Sequence, residues 1–255
     1  MQIYVCVKHV PDSAVNITIV DKNSIDENIT FLLNPYDEHA ITEAVQIKKN
    51  LPGSEVIAVC LGKTDARNTL RSALAMGADR GILIVSENGC DSIETAKALK
   101  AAMEQDGSPG LIFTGRESID AEGMQTMFRI GALFNFPVAT NVVKLDIEAD
   151  RAVVNSELSG GTANTYDMSL PCVIGAGRGL NTPDYPTFRD VVNSKKKPIK
   201  TIVFSELNIE ASLTGANIIE LEPLQQKREP KEITGDKAVI AKEIVKILRD
   251  KAKVI

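Results

Sequence analysis

Short apolar runs alternate along this chain with longer stretches in which apolar residues recur every three or four positions. Ile3 to Val7 reads as a first strand. Asn16 to Val20 and Thr30 to Leu33 alternate apolar and polar around a polar turn, which predicts a β-hairpin excursion. In Asn34-Pro35-Tyr36-Asp37, Asn34 suits an N-cap, Pro35 the first helical position, and Asp37 adds negative charge to the first turn. Ala40, Ile41, Ala44 and Val45 then recur at helical spacing until Asn50-Leu-Pro-Gly53 stops the pattern. Strands at Glu55 to Leu61, Gly81 to Val85 and Gly110 to Thr114 follow. They alternate with helices at Asp65 to Met76, Ser92 to Gln105 and about Ala121 to Leu133. The alternation predicts an α/β fold, a doubly wound, mostly parallel sheet with right-handed crossovers. Such a sheet takes ligands beyond the carboxyl ends of its strands.

Past Pro137 the pattern changes. Asn141 to Ile147 and Ala152 to Glu157 read as paired strands, Gly160-Gly161 as a turn, and Cys172 to Ala176 as a buried strand. Gly175-Ala-Gly-Arg-Gly leads into Asn-Thr-Pro instead of a helix, so it reads as a turn and not a phosphate cradle. Thr201 to Phe204 is a short strand, Ser212 to Glu232 is polar and poorly periodic, and Asp236 to Lys251 is an amphipathic helix. The composition shifts near Lys200. That predicts an α/β domain over residues 1–200 and an extended C-terminal tail with a helix over 201–255.

Composition narrows the function. A charged fraction of 25% and a hydrophobic fraction of 44% are those of an ordinary globular chain. The net charge of −5 and pI near 5.3 exclude binding to nucleic acid by charge neutralisation. No apolar run reaches the roughly 20 residues that span a bilayer, so no membrane insertion is expected. The first ten residues lack a basic segment and a cleavage site and read as a strand, not a signal peptide. Cys6, Cys60, Cys90 and Cys172 are widely spaced and read as reduced thiols, which places the chain in the cytoplasm. His9 and His39 have no partners at metal-ligand spacing, and no nucleophile elbow is present, so no metal and no catalytic residue is expected.

One stretch carries candidate chemistry. Phe113-Thr-Gly-Arg-Glu-Ser-Ile-Asp-Ala-Glu-Gly-Met-Gln-Thr126 runs from a strand through Gly115 into a helix start. A helix N-terminus offers unpaired N–H groups and the positive end of a dipole, and so suits a phosphate. Gly123, Gln125 and Thr126 supply a small residue, an amide and a hydroxyl there, and Arg116 supplies charge. Neither the P-loop nor the Gly-x-Gly-x-x-Gly pattern is present. Lys195-Lys196-Lys197 reads as a solvated basic run, and pattern alone makes Phe188 a core residue.

Several segments together resemble the electron transfer flavoprotein beta subunit family. They are Val5-Cys-Val-Lys-His-Val-Pro11, Asn34-Pro-Tyr-Asp-Glu-His-Ala-Ile-Thr-Glu-Ala-Val45, Thr69 to Gly81 with its specific Ala73-Leu-Ala-Met-Gly-Ala-Asp-Arg80, Thr114-Gly-Arg-Glu-Ser-Ile-Asp120, Leu170-Pro171, and Leu180-Asn-Thr-Pro-Asp-Tyr-Pro-Thr-Phe188 continuing to Ile199. The resemblance implies an adenine-nucleotide alpha-hydrolase-like fold and a heterodimer with an alpha subunit. It also implies FAD shared with that subunit, and electron transfer from a flavin dehydrogenase, such as an acyl-CoA dehydrogenase, to a quinone-linked or other acceptor oxidoreductase. The beta subunit's own nucleotide would be AMP, or alternatively a second FAD that accepts hydride from NADH in bifurcating members. The positions implied for it are Cys6, Asn34, Pro35, Tyr36, Asp37, Leu61, Arg116, Glu117, Ser118, Ile119, Asp120, Ala121, Glu122, Gly123, Met124, Gln125, Thr126 and Met127. Tyr36 would lie toward the alpha-bound flavin. The Gln125-Thr126 pair is nearer the AMP type, while Met127 and Phe128 are bulky where the family often has glycine. In the resemblance, Val7 to Asp12 and Asn34 to Asp37 recur among bifurcating and dedicated-partner members. The resemblance turns Phe188 into the apolar anchor of a partner-docking loop, and docks the tail helix on the alpha subunit. A stand-alone nucleotide-binding module resembling stress proteins is the alternative from another class.

Overall fold

The computed structural model describes residues 1–209, 218–223 and 230–255. The chain divides into two compact units, Met1–Ile219 and Glu220–Ile255. The first unit begins with β1 (Gln2–Cys6), β2 (His9–Pro11), β3 (Ile19–Asp21), β4 (Ser24–Ile25), β5 (Phe31–Leu33) and α1 (Pro35–Asn50). Next come β6 (Glu55–Gly62), α2 (Arg67–Ala75), β7 (Arg80–Val85), α3 (Ser92–Asp106), β8 (Pro109–Gly115) and α4 (Thr126–Phe134). The unit ends with β9 (Val138–Glu148), β10 (Arg151–Glu157), β11 (Ala163–Ser169), β12 (Val173–Ala176), α5 (Phe188–Ser194) and β13 (Ile199–Val203).

Nine strands form one sheet in the order β11-β10-β9-β12-β8-β1-β6-β7-β13. From β9 through β12 to β13 neighbouring strands are parallel, and β10 and β11 extend one edge as an antiparallel meander. The central strands are buried on both faces, as continuous apolar runs such as Val56-Ile-Ala-Val-Cys60 require. Side chains alternate between two cores. Ile3, Val5, Leu111 and Phe113 pack with α1 and α2 residues such as Ile41 and Leu70. Tyr4, Ile57, Val59 and Ile112 pack with α3 and α4 residues such as Leu99 and Ile130. The result is a three-layer doubly wound sheet. The chain runs outward from β1 to β6 and β7, then returns to place β8 on the other side of β1. The β1/β8 junction is therefore a topological switch point, where a crevice opens at the carboxyl ends of the strands.

Three expectations need correction. Thr30 to Leu33 does not pair with Asn16 to Val20: β5 pairs with β2, while β3 pairs with β4 in a small separate hairpin. Both pairings satisfy the same alternation, so pattern did not choose between them. Secondly, the helix predicted from about Ala121 starts at Thr126, because Glu122 and Met124 take left-handed backbone conformations (φ 48° and 50°) that stop helical propagation. Thirdly, Phe188 is not core: it is 84% exposed at the start of α5. Beyond these, β11 has no counterpart among the expected strands, since all of its residues but Met168 are exposed and no apolar face marks it.

In the second unit, Asp236 caps α6 (Lys237–Ile247) by accepting from Ala238 N and Val239 N, both at 2.9 Å. A π-helical turn, Leu248–Ala252, follows. Val239, Ile244 and Val245 on α6 are exposed. Much of the poorly periodic stretch Ser212 to Glu232 lies outside the described residues.

Candidate functional site

The loop after β8 is held in place by the start of α1. Asn34 is 1% exposed, yet its side chain does not cap α1. Its amide instead donates to Asp37 Oδ1 and to Glu117 O, both at 2.9 Å, and its Oδ1 accepts from Ile119 N at 3.2 Å. One side chain thus binds the loop at two backbone points. Asp37 is equally central. Its Oδ1 also accepts from Gly115 N at 3.0 Å, and its Oδ2 accepts from Lys8 N at 2.8 Å. Burial pushes this carboxyl up to about 7, against the pull of Asn34, the Lys8 and Gly115 N–H groups and the Lys8 charge. Pro35, at the first helical position, leaves no extra N–H to satisfy.

Gly115 is required by close approach. A Cβ there would fall on Asp37 Oδ1 and lie 2.6 Å from Tyr36 Cβ. The end of β8 and the first turn of α1 can meet only without a side chain at this position.

Lys8 ties the far side of the loop. Its Nζ donates to Ser118 Oγ at 3.2 Å and pairs with Asp120 at 2.7 Å. Arg116 pairs with Glu117 at 2.7 Å and reaches Asn141 Oδ1 at 3.3 Å. Two guanidinium groups lie over the Tyr36 ring, Arg116 at 5.5 Å and Arg178 at 5.0 Å from its centroid. Burial and a hydrogen bond to Glu117 raise the Tyr36 hydroxyl pKa.

Beyond Asp120 the loop opens. Ala121, Glu122 and Gly123 are exposed, and a Cβ at Gly123 would meet nothing within 4 Å. The left-handed residues are its neighbours Glu122 and Met124. Such conformations cost on the order of 1 kcal/mol each and gather at binding loops. Gln125 makes no side-chain cap, so the first N–H groups of α4 face the loop without one. Met127 is buried, and Gly175 on β12 makes room for it: a Cβ at Gly175 would lie 2.5 Å from Met127 Sδ. The bulk at Met127 is thus absorbed by the core and does not distort the helix start. Phe128 is 44% exposed.

Two hydroxyls at this end of the sheet, Thr114 Oγ1 and Thr140 Oγ1, are buried with no hydrogen-bond partner. By strand alternation Thr114 shares the face of Ile112, the α4 side. An unpaired buried hydroxyl costs on the order of 1–3 kcal/mol. Neither threonine was singled out from sequence, because a threonine in a strand is ordinary. Lys8, Arg178 and Asn141 were also missed as site residues, since nothing in their spacing links Lys8 to Asp120 or Arg178 to Tyr36, over a hundred positions away, or Asn141 to Arg116, 25 positions away.

Cys6 ends β1 at 7% exposure, and burial with the nearby Asp37 raises its thiol pKa strongly, which keeps it protonated. Leu61 is partly buried near the end of β6. Phe188 stands apart from this loop, on α5, which packs against α2. Among the described residues no group of His, Cys, Asp or Glu is placed to hold a metal, and no helix is long and apolar enough to cross a membrane. All four cysteines are free.

The sheet and the loop at its switch point define a doubly wound α/β protein with a crevice beside a helix N-terminus. Comparison with known proteins takes this further. The electron transfer flavoprotein domain model matches residues 23–207. The chain is 34% identical to the electron transfer flavoprotein subunit beta of Dictyostelium discoideum over 254 residues, 99% of this chain and 98% of that one. It is 34% identical to the mitochondrial electron transfer flavoprotein subunit beta of Arabidopsis thaliana, and 32% identical to the Bacillus subtilis subunit beta, over the full length of each. The chain belongs to the electron transfer flavoprotein family, as one of its beta subunits.

Proposed function

We propose that this chain pairs with an alpha subunit and carries electrons from a flavin dehydrogenase to an acceptor oxidoreductase, in a reducing compartment such as the cytoplasm. In this reading it covers the FAD that the alpha subunit holds, and binds AMP in its own crevice. One observation carries the nucleotide reading: at the switch point Asn34 binds the 116–125 loop at Glu117 O and Ile119 N, and Asp37 binds Gly115 N just before it, ahead of an α4 start without a side-chain cap. The donor set fits a phosphate, since uncapped N–H groups and the positive end of a helix dipole favour an anion. The unpartnered Thr114 hydroxyl adds a donor on the α4 side. Asn34, Asp37 and Lys8 would shape the loop, while Gln125, Thr126 and Met127 would present their backbone N–H groups to the phosphate.

When bound, the shared FAD supplies the one- and two-electron chemistry. The residues of this chain bind and orient around it, and Cys6, held as a thiol, takes no redox part. AMP is favoured over a second FAD by Gln125-Thr126 and by a Met127 that is packed into the core. With AMP in the crevice, electrons pass beside this nucleotide and not through it.

Phe188 and Tyr185, 84% and 81% exposed on a short segment with its own helix, suit an apolar anchor for the dehydrogenase. Two such side chains facing water are costly unless a partner covers them. The test is Phe188→Ala in the heterodimer. The prediction is a fall of about tenfold in kcat/KM for reduction by the dehydrogenase, with nucleotide content unchanged. Loss of nucleotide or of folding would instead make Phe188 a structural residue.

A further inference from the structure

The segment between β12 and α5, residues 177–187, has no regular structure, yet it is fastened to α1 at two places. Arg178 lies over the Tyr36 ring, and Asn181 meets His39 and Glu43 one and two turns further along the helix. The Asn181 amide spends both of its donors, one on His39 O at 3.0 Å and one on Glu43 Oε2 at 2.8 Å. His39 Nδ1 faces two acceptors, Asn181 O at 3.0 Å and Asn181 Oδ1 at 3.2 Å, so Nδ1 carries the proton. Glu43 is largely buried, and burial raises its carboxyl pKa, so the Asn181 donor replaces water that the carboxylate has lost.

The other end of α5 is fastened to α2. Arg71 donates to Ser194 O at 2.5 Å and to Lys197 O at 2.7 Å. Lys197 Nζ donates to Leu74 O at 2.8 Å and Ala78 O at 2.7 Å, at the C-terminal end of α2. The short helix bearing Phe188 is therefore bracketed by α1 and α2. The first of these also begins the crevice, at Asn34 and Asp37.

We infer that Asn181 is a positioning residue: held by His39 and Glu43, it sets the approach of α5 and joins the docking surface to the helix that shapes the crevice. The inference rests on the reading of α5 as the surface that meets the dehydrogenase. Asn181→Asp leaves size and shape nearly unchanged, but sets a carboxylate against His39 O and the Glu43 carboxylate. Glu43→Gln on that background supplies an amide that donates to the new carboxylate, which restores one of the lost bonds.

The experiment uses the heterodimer as electron acceptor for a flavin dehydrogenase, with KM, kcat and bound nucleotide measured for four proteins: wild type, Phe188→Ala, Asn181→Asp, and Asn181→Asp with Glu43→Gln. The expected result for Asn181→Asp is a KM for the heterodimer raised about tenfold, with kcat and nucleotide content kept. The double variant should recover most of that loss. A wild-type KM in Asn181→Asp beside a raised KM in Phe188→Ala would overturn the inference and leave the docking reading standing. So would loss of nucleotide in Asn181→Asp, or no recovery in the double variant, because either makes Asn181 merely structural. A wild-type KM in Phe188→Ala would remove the docking reading itself, and the inference with it.

Discussion

At Asp37 two effects oppose each other. Burial pushes the carboxyl up to about 7, while three N–H groups point at its oxygens and hold it as an acceptor. A carboxyl whose folded pKa lies above its unfolded value of about 3.9 stabilises the fold relative to its ionised form only at low pH. Its contribution is full below about pH 4 and is lost as pH rises through about 7. The wild-type chain should therefore show a downward slope of stability from this group across that window. Asp37→Asn should flatten the slope. The variant should also lose about 1–3 kcal/mol, because an amide offers one acceptor and turns an NH₂ toward a donor. Urea unfolding at pH 5, 6, 7 and 8 measures both effects, and an unchanged slope would show that Asp37 does not titrate there. Gly115→Ala is the steric counterpart. With a Cβ pressed onto Asp37 and Tyr36, it should cost about 1–3 kcal/mol in the same assay, and a neutral result would mean that the first turn of α1 can retreat. At this scale the sequence was legible in part. Asn34 and Asp37 were singled out as helix-start residues, and the structure keeps them at that position. Their partners 78 to 85 positions away in the chain could not be read from local chemistry.

The helices and strands were legible wherever burial imposes a period. Val56 to Cys60 and the α1 stripe Ala40, Ile41, Ala44 lie where their pattern put them. Misreadings fall where burial is weak. In the loop before α4, Gly123 does not take the left-handed conformation, and its neighbours Glu122 and Met124 do. No propensity marks such a choice, which fits a loop shaped by what it holds. α5 is a clear case of local coding: Thr187 Oγ1 accepts from Asp190 N at 3.3 Å, and Asp190 Oδ2 accepts from Thr187 N at 2.9 Å. A seven-residue helix depends on such a cap. Thr187→Ala should cost about 1 kcal/mol locally and speed amide exchange in residues 188–194 about fivefold. Unchanged exchange would mean that the Arg71 and Lys197 fastenings alone hold α5.

Over the whole molecule, alternation of strand and helix was enough to predict a doubly wound sheet. Strand order was not legible, because which side of β1 receives β8 depends on crossovers and not on any residue. That order creates the switch point and hence the site. The second unit, Glu220–Ile255, carries exposed Ile244 and Val245 side by side on one helix, an apolar patch suited to a partner. Ending the chain after Ile219 should leave the sheet folded by circular dichroism and abolish co-purification with the alpha subunit, whereas retained pairing would locate that interface on the first unit alone.

If the crevice at the β1/β8 junction holds a nucleotide beside the path of the electrons, the purified heterodimer carries that nucleotide with it. Acid denaturation of the purified heterodimer, followed by chromatographic quantitation of what is released, tests it most directly. The expected release is one FAD and one AMP per heterodimer, with no oxidation of NADH. Two FAD per heterodimer with NADH oxidation, or FAD without any second nucleotide, would contradict it.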